Sequence, residues 1–386
     1  MTPARSDSEL DPFDPAHLAA PYELYQRLRP LGPAVWLESR HIWLVSGYDA
    51  VSQVLRQPDR FLSGKGTGFV RADVSGIRGP LIDNDPPVHT RVRRSLQKWF
   101  KPSVIEERRV AIRARVDRLV DDALHHQGID AVTAFARPLP VGFMSDLLGL
   151  HHPDGAAVSA AMDSVFHLFG PAAAAEHTTR FEDLVGWLLT DGLPALDAGS
   201  LGYAIMADEA LDFMDRVGLL GSIWVAGVDT TTNLISSMLL ALAVNPDQWR
   251  LLVEHPGLAA AAVEEALRFE SPVRMFMRRT AAPTDILGSE LPGDADVCVL
   301  FASANRDDRH YPDPDRFDVL RNPGDHLAFG SGIHLCLGAS LLRVEATELL
   351  QGLAARVNGM ALDGDPVRNL NPVIQGYLRV PLRLSP

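Results

Sequence analysis

Residues 326–338, with the sequence HLAFGSGIHLCLG, decide the fold of this chain of 386 residues. They contain Cys336, one of only two cysteines in the chain, and glycines lie on both sides of it. Such a glycine-rich stretch predicts a tight loop whose backbone approaches another group closely. The next run, residues 339–350, is apolar and favours a helix. We therefore expect Cys336 to lie in a loop just before the start of a helix.

This position determines the chemistry expected of the Cys336 sulfur. Unpaired N–H groups and positive potential at a helix N-terminus favour a thiolate over a thiol. A lone thiolate in a glycine-rich loop, without companion ligands at zinc spacing, suits a single axial bond to haem iron. The other cysteine, Cys298, lies in the apolar run 296–300, and we expect it to be an ordinary buried side chain.

The stretch resembles the haem-binding loop of the cytochrome P450 family, whose pattern is Phe-Gly-x-Gly-x-His-x-Cys-x-Gly. The fixed positions are occupied here by Phe329, Gly330, Gly332, His334, Cys336 and Gly338. The resemblance extends over about residues 11–386. It implies haem b, bound by Phe329, His334, Cys336 and Gly338 among others, with Cys336 as the metal ligand. It also implies the cytochrome P450 fold, a triangular helical prism that is mainly α, with a smaller β-rich part contributed by both ends of the chain.

Composition narrows the class of protein further. The chain is 46% hydrophobic and 22% charged, as in ordinary globular proteins, and its formal net charge of −13 argues against nucleic acid as a partner. The N-terminus carries neither a signal peptide nor an apolar run of ~18 residues. We therefore expect a cytoplasmic protein without membrane contact. Residues 1–20, rich in Asp, Ser and Pro, predict a flexible segment, and residues 21–386 a single haem domain.

A long apolar helix is predicted over residues 208–243, and its middle carries the sequence Ala-Gly-Val-Asp-Thr-Thr from Ala226. The small residues Ala226 and Gly227 allow a large flat ligand to approach the backbone. A buried acid beside a hydroxyl is costly unless it is satisfied or used. On its own the motif also fits a core helix bent by Ser and Thr. It is similar to the family's acid–alcohol pair, which implies that Asp229 and Thr230 are catalytic and deliver protons during oxygen activation.

Basic residues follow Asp85-Pro86-Pro87. His89 and Arg93 are four residues apart and hence on one helical face. This helix resembles the family's propionate-binding helix, which implies that the two residues bind haem propionates; the alternative is a solvated helix face. Arg278 lies ten residues before Gly288, the spacing of another propionate-binding arginine in the family, and Arg279 is its rival.

The other cations of this helix predict a basic patch that suits electrostatic docking of an acidic ferredoxin. They are Arg91, Arg94, Lys98 and Lys101. The chain has no flavin or iron–sulfur motif of its own, so we expect electrons to come from NAD(P)H through a ferredoxin reductase and a separate ferredoxin. Oxygen is the other reactant that the resemblance implies.

Glu265 and Arg268, three residues apart, predict an ion pair on one helix. The family has the same Glu-x-x-Arg, buried and joined by an arginine from a later loop, and Arg316 fits that partner. We assign these three residues a structural role in supporting the haem loop. Beyond them, residues 373–384 predict a β-hairpin with Gly376 near its turn.

The substrate expectation rests on aromatic residues. Residues 165–171 and 267–273 look like those of bacterial family members that oxidise para-substituted benzoic acids, including O-demethylation. Phe166, Phe169 and Phe276 would line a flat apolar slot that suits an aromatic ring, although the first two also fit ordinary core packing. Those relatives hold the carboxylate with an Arg-Ser pair on the central helix, where this chain has Gly221 and Ser222.

The missing arginine leaves the substrate class open. Arg78 in the long loop 61–80, or Arg274, would supply a cation for a carboxylate, and an uncharged or methoxylated phenol is equally compatible. The resemblance implies a monooxygenase that inserts one oxygen atom into a C–H bond of a small aromatic substrate. Two alternatives remain: a peroxide-dependent haem-thiolate peroxygenase, which typically lacks the Asp-Thr pair, and a non-catalytic haem-binding protein, for whose output domain the chain has no room.

Overall fold

The computed structural model describes residues 5–6, 8–70 and 79–386. Within them, the α-helices in chain order are α1 Pro15–Ala19, α2 Pro21–Leu28, α3 Tyr48–Arg56, α4 Val88–Gln97, α5 Pro102–Glu107, α6 Arg109–Leu124, α7 Pro138–Leu148, α8 Gly155–Leu168, α9 Ala175–Trp187, α10 Leu201–Met206, α11 Phe213–Val244, α12 Pro246–Glu254, α13 Ala259–Phe269, α14 Phe301–Ala304 and α15 Ala339–Ala354. Helices therefore dominate the middle of the chain, as the sequence predicts.

The strands lie mainly near the two ends of the chain. They are β1 Arg5–Ser6, β2 Val35–Leu37, β3 Ile42–Val45, β4 Phe61–Leu62, β5 Ile129–Asp130, β6 Phe276–Thr280, β7 Thr284–Ile286, β8 Ser289–Leu291, β9 Asp296–Val299, β10 Gly359–Leu362, β11 Val367–Arg368, β12 Tyr377–Arg379 and β13 Pro381–Ser385. One sheet has the order β1-β2-β3-β9-β6-β4, and another has the order β10-β13-β5. The mainly α fold with a β-rich part from both ends of the chain is confirmed.

The β2–β3 hairpin joins the two ends of the chain. Trp36 and Trp43 are directly paired across it, with ring centroids 5.4 Å apart, and His41 in the turn has a positive φ of 53°. Strand β3 then pairs in parallel with β9, more than 250 residues later. Cys298 lies on β9 and is fully buried, as expected of an ordinary apolar side chain.

The expected C-terminal hairpin over residues 373–384 is wrong. Strand β12 pairs with β11 and strand β13 pairs with β10 and β5, so the two segments belong to different sheets. The reason is the central helix: Tyr377 N donates to Ser236 Oγ at 3.1 Å, which fixes this part of the chain along α11. The short turn between the segments is occupied by Val380, which is fully buried.

Helix α11 is the long central helix, and it begins at Phe213 because Asp212 caps it by accepting a hydrogen bond from Asp215 N at 2.8 Å. The sequence predicted a start five residues earlier. Most residues from Val217 to Ala243 are buried. Among the described residues, α11 is the one helix long and apolar enough to cross a membrane, and 72% of its most apolar window is buried inside the protein.

Both the N-terminal segment and the long loop are held by acidic residues. In the segment 1–20, Phe13 and Leu18 are buried and Asp11 forms an ion pair with Arg40 at 2.8 Å, so the chain packs on the domain from about residue 11. In the long loop 61–80, Asp83 accepts hydrogen bonds from the backbone N–H groups of Thr67 and Gly79, at 2.7 and 2.6 Å. Residues 71–78, which include Arg78, lie outside the described residues.

Candidate functional site

The Cys336 loop has the tight geometry that its glycines predict. Gly330 and Gly332 both have a φ of 69°, and a Cβ on Gly332 would lie 2.5 Å from the carbonyl oxygen of Leu55. Only glycine fits there without strain. The N–H of Cys336 donates to the carbonyl of Phe329 at 2.9 Å, and Gly338 is the N-cap of helix α15. The sulfur therefore lies directly before a helix, as predicted.

Cys336 has exposed surface at the end of the loop, in contrast to the buried Cys298. Burial raises the pKa of its thiol; the backbone N–H groups of Gly338 and Ala339 and the charges of Arg93 and Arg343 act in the opposite direction. The groups predicted to favour a thiolate are thus present, but burial outweighs them. Cys298 differs in having no exposed surface, and burial raises the pKa of its thiol well above the ordinary range.

The central helix has an open face in the middle of its buried length. Ala226 is exposed and Thr230, one turn later, is partly exposed, whereas Val228 and Asp229 between them are buried. The Thr230 hydroxyl donates to the carbonyl of Ala226 at 2.7 Å. Ala226 and Thr230 therefore border open space on the same helical face.

Gly227 lies in close contact with a neighbouring helix. A Cβ on Gly227 would lie 2.5 Å from Met144 Sδ, so the missing side chain makes room for helix α7. The open face at this level of the helix belongs to Ala226. Ala226 thus leaves the helix open on this face, while the missing side chain of Gly227 allows close contact between α11 and α7.

Asp229 is 3% exposed, and among the described residues its Oδ2 has no hydrogen-bond partner. Burial raises the pKa of this carboxyl well above its usual range, because charging it inside the protein is unfavourable. The negative charge of Asp163 raises it further, and Arg137 acts in the opposite direction. The structure thus places an acid whose charged form is disfavoured one residue before Thr230.

His89, Arg93 and His334 lie together beside the Cys336 loop. The rings of His89 and His334 are 4.4 Å apart, and Arg93 Nη2 donates to the carbonyl of Leu335 at 2.6 Å. Within the described part of the chain, both ring nitrogens of His89 and Nε2 of His334 are buried without a hydrogen-bond partner. Burial, together with the positive charges of Arg278 and Arg93 and the neighbouring His89, lowers the pKa of His334 to about 3.

Arg278 completes this group of donors. It is 4% exposed, its Nη1 donates to the carbonyl of Met277 at 2.8 Å, and burial lowers its pKa to about 10. Its rival Arg279 forms ion pairs with Asp294 and Asp296 instead. Buried donors that repel one another need an anionic partner. The two carboxylates of haem fit this need, so the residues present fit the cofactor.

The sequence predicts that Glu265, Arg268 and Arg316 interact. The prediction is wrong for Arg316. Glu265 and Arg268 form a fully buried ion pair at 2.8 Å, as expected. The arginine that joins them is Arg321, whose Nε lies 3.3 Å from Glu265 Oε1. The Arg316 side chain is exposed and pairs with Asp318; only the Arg316 carbonyl takes part, by accepting from Arg268. The turn after Phe317 directs the chain back, so that Arg321 reaches the Glu265–Arg268 pair.

A second charged pair beside the loop was missed from sequence. Arg343 pairs with Glu264 at 2.6 Å and lies over the ring of Phe329, 4.5 Å from its centroid. Although burial disfavours the charge of Glu264, hydrogen bonds from Arg343 and His326 lower its pKa to about 2. The pair fixes Phe329, which is buried at the start of the loop. The available signal was weak: an arginine seven residues after Cys336 and an acid beside Glu265.

Of the residues expected to line the substrate pocket, the three phenylalanines lie together in the structure. Phe166 and Phe169 are in edge contact at 6.0 Å and belong to one apolar cluster with Phe276 and Val225, which immediately precedes Ala226. Ser222 lies one turn before Ala226 on the central helix. It is partly buried, and its hydroxyl donates to the carbonyl of Leu219 at 2.9 Å.

Arg274 is 2% exposed, and its Nη1 donates to the carbonyl of Asn371 at 3.3 Å. Among the described residues, its Nη2 is buried without a hydrogen-bond partner, so this guanidinium keeps an unused N–H donor. The other candidate for this role, Arg78, lies outside the described residues.

Comparisons with known proteins give a consistent result. The family model described as Cytochrome P450 matches residues 204–353. The chain is 33% identical over 389 residues to cytochrome P450 CYP199A2 of Rhodopseudomonas palustris, covering 98% of this chain and 94% of that protein. It is 36% identical over 384 residues to the cytochrome P450 monooxygenase PikC of Streptomyces venezuelae, covering 95% and 91%.

Solved structures show the same fold. A mutant of P450 EryK in complex with erythromycin B has a TM-score of 0.86 and 28% identity, covering 96% of this chain and 98% of that one. CYP108D1 from Novosphingobium aromaticivorans has a TM-score of 0.84 and 26% identity, with 97% of each chain covered.

Proposed function

This chain belongs to the cytochrome P450 family and is a haem-thiolate monooxygenase, and on this premise we propose that Cys336 is its iron ligand. The observation that supports the assignment is that Cys336 is exposed in the glycine-rich loop before a helix, whereas Cys298 is fully buried in a sheet. When bound, haem b supplies the chemistry that inserts one oxygen atom of O2 into a C–H bond while the other leaves as water.

The protein's own residues bind and orient the cofactor. His89, Arg93, Arg278 and His334 would hold the propionates. Both ring nitrogens of His89 and Nε2 of His334 are buried without a hydrogen-bond partner among the described residues, and Arg93 and Arg278 add positive charge beside His334. Phe329 and the glycines at 330, 332 and 338 shape the loop around the Cys336 sulfur. On the other side, the exposed Ala226 leaves the backbone of the central helix open to a flat ligand.

Asp229 and Thr230 are proposed as the proton-supplying pair. Asp229 is buried and burial raises its pKa, which favours the protonated carboxyl that a proton donor needs. The hydroxyl of Thr230 lies at the open face of the helix. It would receive the proton from Asp229 and pass it on toward oxygen. Two protons must reach oxygen for one of its atoms to leave as water, and a stalled supply releases peroxide instead.

The substitution Thr230→Ala tests this pair. We expect substrate binding and NAD(P)H consumption to persist, while product per NAD(P)H falls several-fold and hydrogen peroxide rises in its place. Thr232→Ala is a matched control, because Thr232 also donates to the carbonyl four residues before it, at 2.9 Å, but is buried. Unchanged product yield in Thr230→Ala would remove Thr230 from the mechanism, and full turnover with peroxide alone would favour a peroxygenase.

We propose a small aromatic substrate. The cluster of Phe166, Phe169 and Phe276 beside Val225 on the central helix supports this class, because aromatic rings pack well edge-on against one another. The Nη2 of Arg274 is buried and has no partner among the described residues, which supports an aromatic acid over a phenol. Hydroxylation and O-demethylation both fit such a slot.

A spectral titration separates these substrates. Ligands that enter the pocket should move the ferric spectrum toward high spin, and we expect para-methoxybenzoate to do so more strongly than para-methoxyphenol. Arg274→Leu should weaken the benzoate response selectively. If the phenol binds more tightly to the parent protein, the carboxylate assignment is wrong, and if neither binds, the aromatic assignment is wrong.

We also propose a cytoplasmic protein that receives electrons from a ferredoxin and its NAD(P)H-dependent reductase. Arg91, Arg94, Lys98 and Lys101 are exposed along and just beyond helix α4, which presents positive charge on an acidic protein. Reduction by an acidic ferredoxin should therefore slow as salt is raised. Reduction that is independent of salt would argue against this docking face.

A further inference from the structure

Residues 369–374, here called the C-terminal segment, lie between helix α8 and the residues that lead into strand β6. On one side, the carbonyl of Val373 accepts a hydrogen bond from the N–H of Arg274 at 2.9 Å. On the other side, Phe166 of α8 belongs to the same apolar cluster as Val373 and Ile374. The segment therefore joins two elements that carry residues expected to line the substrate pocket.

Asn371 contacts both sides of this segment. It has no exposed surface, and its backbone carbonyl accepts a hydrogen bond from Arg274 Nη1 at 3.3 Å. Its side-chain Nδ2 donates to the carbonyl of Asp163 on α8 at 3.2 Å and lies 3.3 Å from Asp163 Oδ1. Its Oδ1 accepts from the N–H groups of Val373 and Ile374, at 3.0 and 3.3 Å, and so fixes the turn that directs its carbonyl toward the guanidinium.

Asp163 is well anchored on the α8 side of this contact. Asn369 Nδ2 donates to its Oδ1 at 2.7 Å, and His167 Nε2 lies 3.5 Å from its Oδ2. Burial raises the pKa of Asp163, but hydrogen bonds from His167 and the two asparagines outweigh burial and leave the pKa below its ordinary value. Hydrogen bonds to an ionised carboxylate are stronger than those to a neutral group. Phe166 follows three residues later, on the same face of α8.

The contact with Asn371 also determines how Arg274 can bind an anion. A guanidinium presents its N–H groups in a rigid planar fork, so the bond that holds Nη1 sets the direction in which Nη2 points. Among the described residues, Nη2 is buried without a hydrogen-bond partner. Asn371 therefore sets both the direction of this donor and, through Asp163, its separation from the ring of Phe166.

We propose that Asn371 is a positioning residue that couples Arg274 to helix α8, so that the cation for the substrate carboxylate and the aromatic wall of the pocket are held at a fixed separation. The proposal rests on the role proposed above for Arg274, and it adds a residue that determines specificity without touching the substrate. Such a coupling is reciprocal. The position of α8 orients the guanidinium, and the guanidinium in turn stabilises α8.

The carboxylate preference of the ferric holoenzyme tests the proposal. We define it as the Kd for para-methoxybenzamide divided by the Kd for para-methoxybenzoate, both from spectral titrations. Asn371→Ala and Asp163→Leu should each lower this ratio about tenfold, near the lower end for one hydrogen bond to a charged group. Because both substitutions break the same contact, the double variant should lower the ratio little further than either single variant.

Two matched variants separate this role from other effects. Asp163→Asn keeps an oxygen acceptor for Asn371 and should keep the carboxylate preference. Asn369→Ala removes a different hydrogen bond to Asp163, at a residue that has no hydrogen bond to Arg274 within the described part of the chain, and should also keep it. A purely structural role would weaken both ligands equally and leave the ratio unchanged in all variants. A direct charge effect of Asp163 on the substrate anion would raise the ratio in Asp163→Leu and Asp163→Asn. Either result would overturn the proposal.

Amide hydrogen exchange of α8 provides a second readout that needs no substrate. In the ligand-free holoenzyme, Arg274→Leu should speed exchange over residues 155–168 several-fold, and Arg274→Met is a second variant in case the first does not fold. Arg316→Ala, which changes an exposed arginine, should leave this exchange unchanged. Exchange that stays unchanged in the Arg274 variants would overturn the coupling. Faster exchange together with an unchanged carboxylate preference in Arg274→Leu would support the coupling and refute the aromatic-acid assignment instead.

Discussion

Glu345 is the buried acid for which the structure gives the sharpest energetic prediction. It lies on helix α15, has no exposed surface, and among the described residues neither of its carboxylate oxygens has a hydrogen-bond partner. Burial raises its pKa to about 8, against the opposing influence of Arg115. Its ordinary value is 4.5, so the folded protein holds this proton across neutral pH.

The sign and size of the effect follow from proton linkage. Between pH 4.5 and 8 the unfolded chain releases the proton while the folded chain keeps it, so the free energy of unfolding falls as pH rises. Each pH unit costs about 1.4 kcal/mol. At pH 7 the loss from this carboxyl is therefore about 3 kcal/mol, and it reaches about 5 kcal/mol above the folded-state pKa.

The substitution Glu345→Gln removes this titration while keeping the shape of the side chain. We expect urea unfolding at pH 5 to give similar stabilities, and at pH 8 to give a variant more stable by several kcal/mol. Glu254→Gln, at an exposed position on helix α12, is the matched control and should follow the parent protein at both pH values. A stability difference that does not change between pH 5 and pH 8 would refute the reasoning.

Two further substitutions test the packing around the site. Arg268→Met leaves Glu265 buried without its partner and should destabilise the protein by about 3–5 kcal/mol in urea unfolding, whereas Arg316→Ala should change stability by about 0.5 kcal/mol or less. Equal effects would show that the Arg316 side chain supports the buried pair as much as Arg268 does. Gly227→Leu forces a side chain into Met144 and should lower the thermal unfolding temperature at a cost of about 1–3 kcal/mol. An unchanged unfolding temperature would mean that helix α7 yields there without cost.

Local chemistry explains what the sequence could predict. The Cys336 loop needs positive φ at two positions. Both are glycines, Gly330 and Gly332, so the loop could be predicted from the residue types alone. The central helix is visible because its apolar residues continue nearly all round, and its start was misplaced only because Asp212, not Asp208, is the cap. The β2–β3 hairpin is likewise a local pattern.

Contacts between distant segments explain the rest. Arg316 and Arg321 both follow the Glu-x-x-Arg motif at a plausible distance, and only the turn geometry decides that Arg321 reaches Glu265. Arg278 and Arg279 are adjacent, and they separate because Asp294 and Asp296 pair with the latter. The separate strands of the C-terminus depend on contact with the central helix.

Two acids illustrate the same limit at single residues. Glu345 and Asp163 are indistinguishable in sequence from ordinary helical carboxylates. Only the folded chain shows that Glu345 is buried without a partner among the described residues and that Asp163 is held by two asparagines from the C-terminal segment. Whether one acidic residue is buried depends on how several helices pack together. The spacing of apolar residues along a single helix does not show this.

The sulfur–iron bond assigned to Cys336 is tested most directly by the absorption spectrum of the reduced protein under carbon monoxide. The red-shifted band peculiar to thiolate ligation should be present in the parent protein and in Cys298→Ala, and absent in Cys336→Ser. A parent protein without the band, or a Cys336→Ser variant that keeps it, would contradict the assignment.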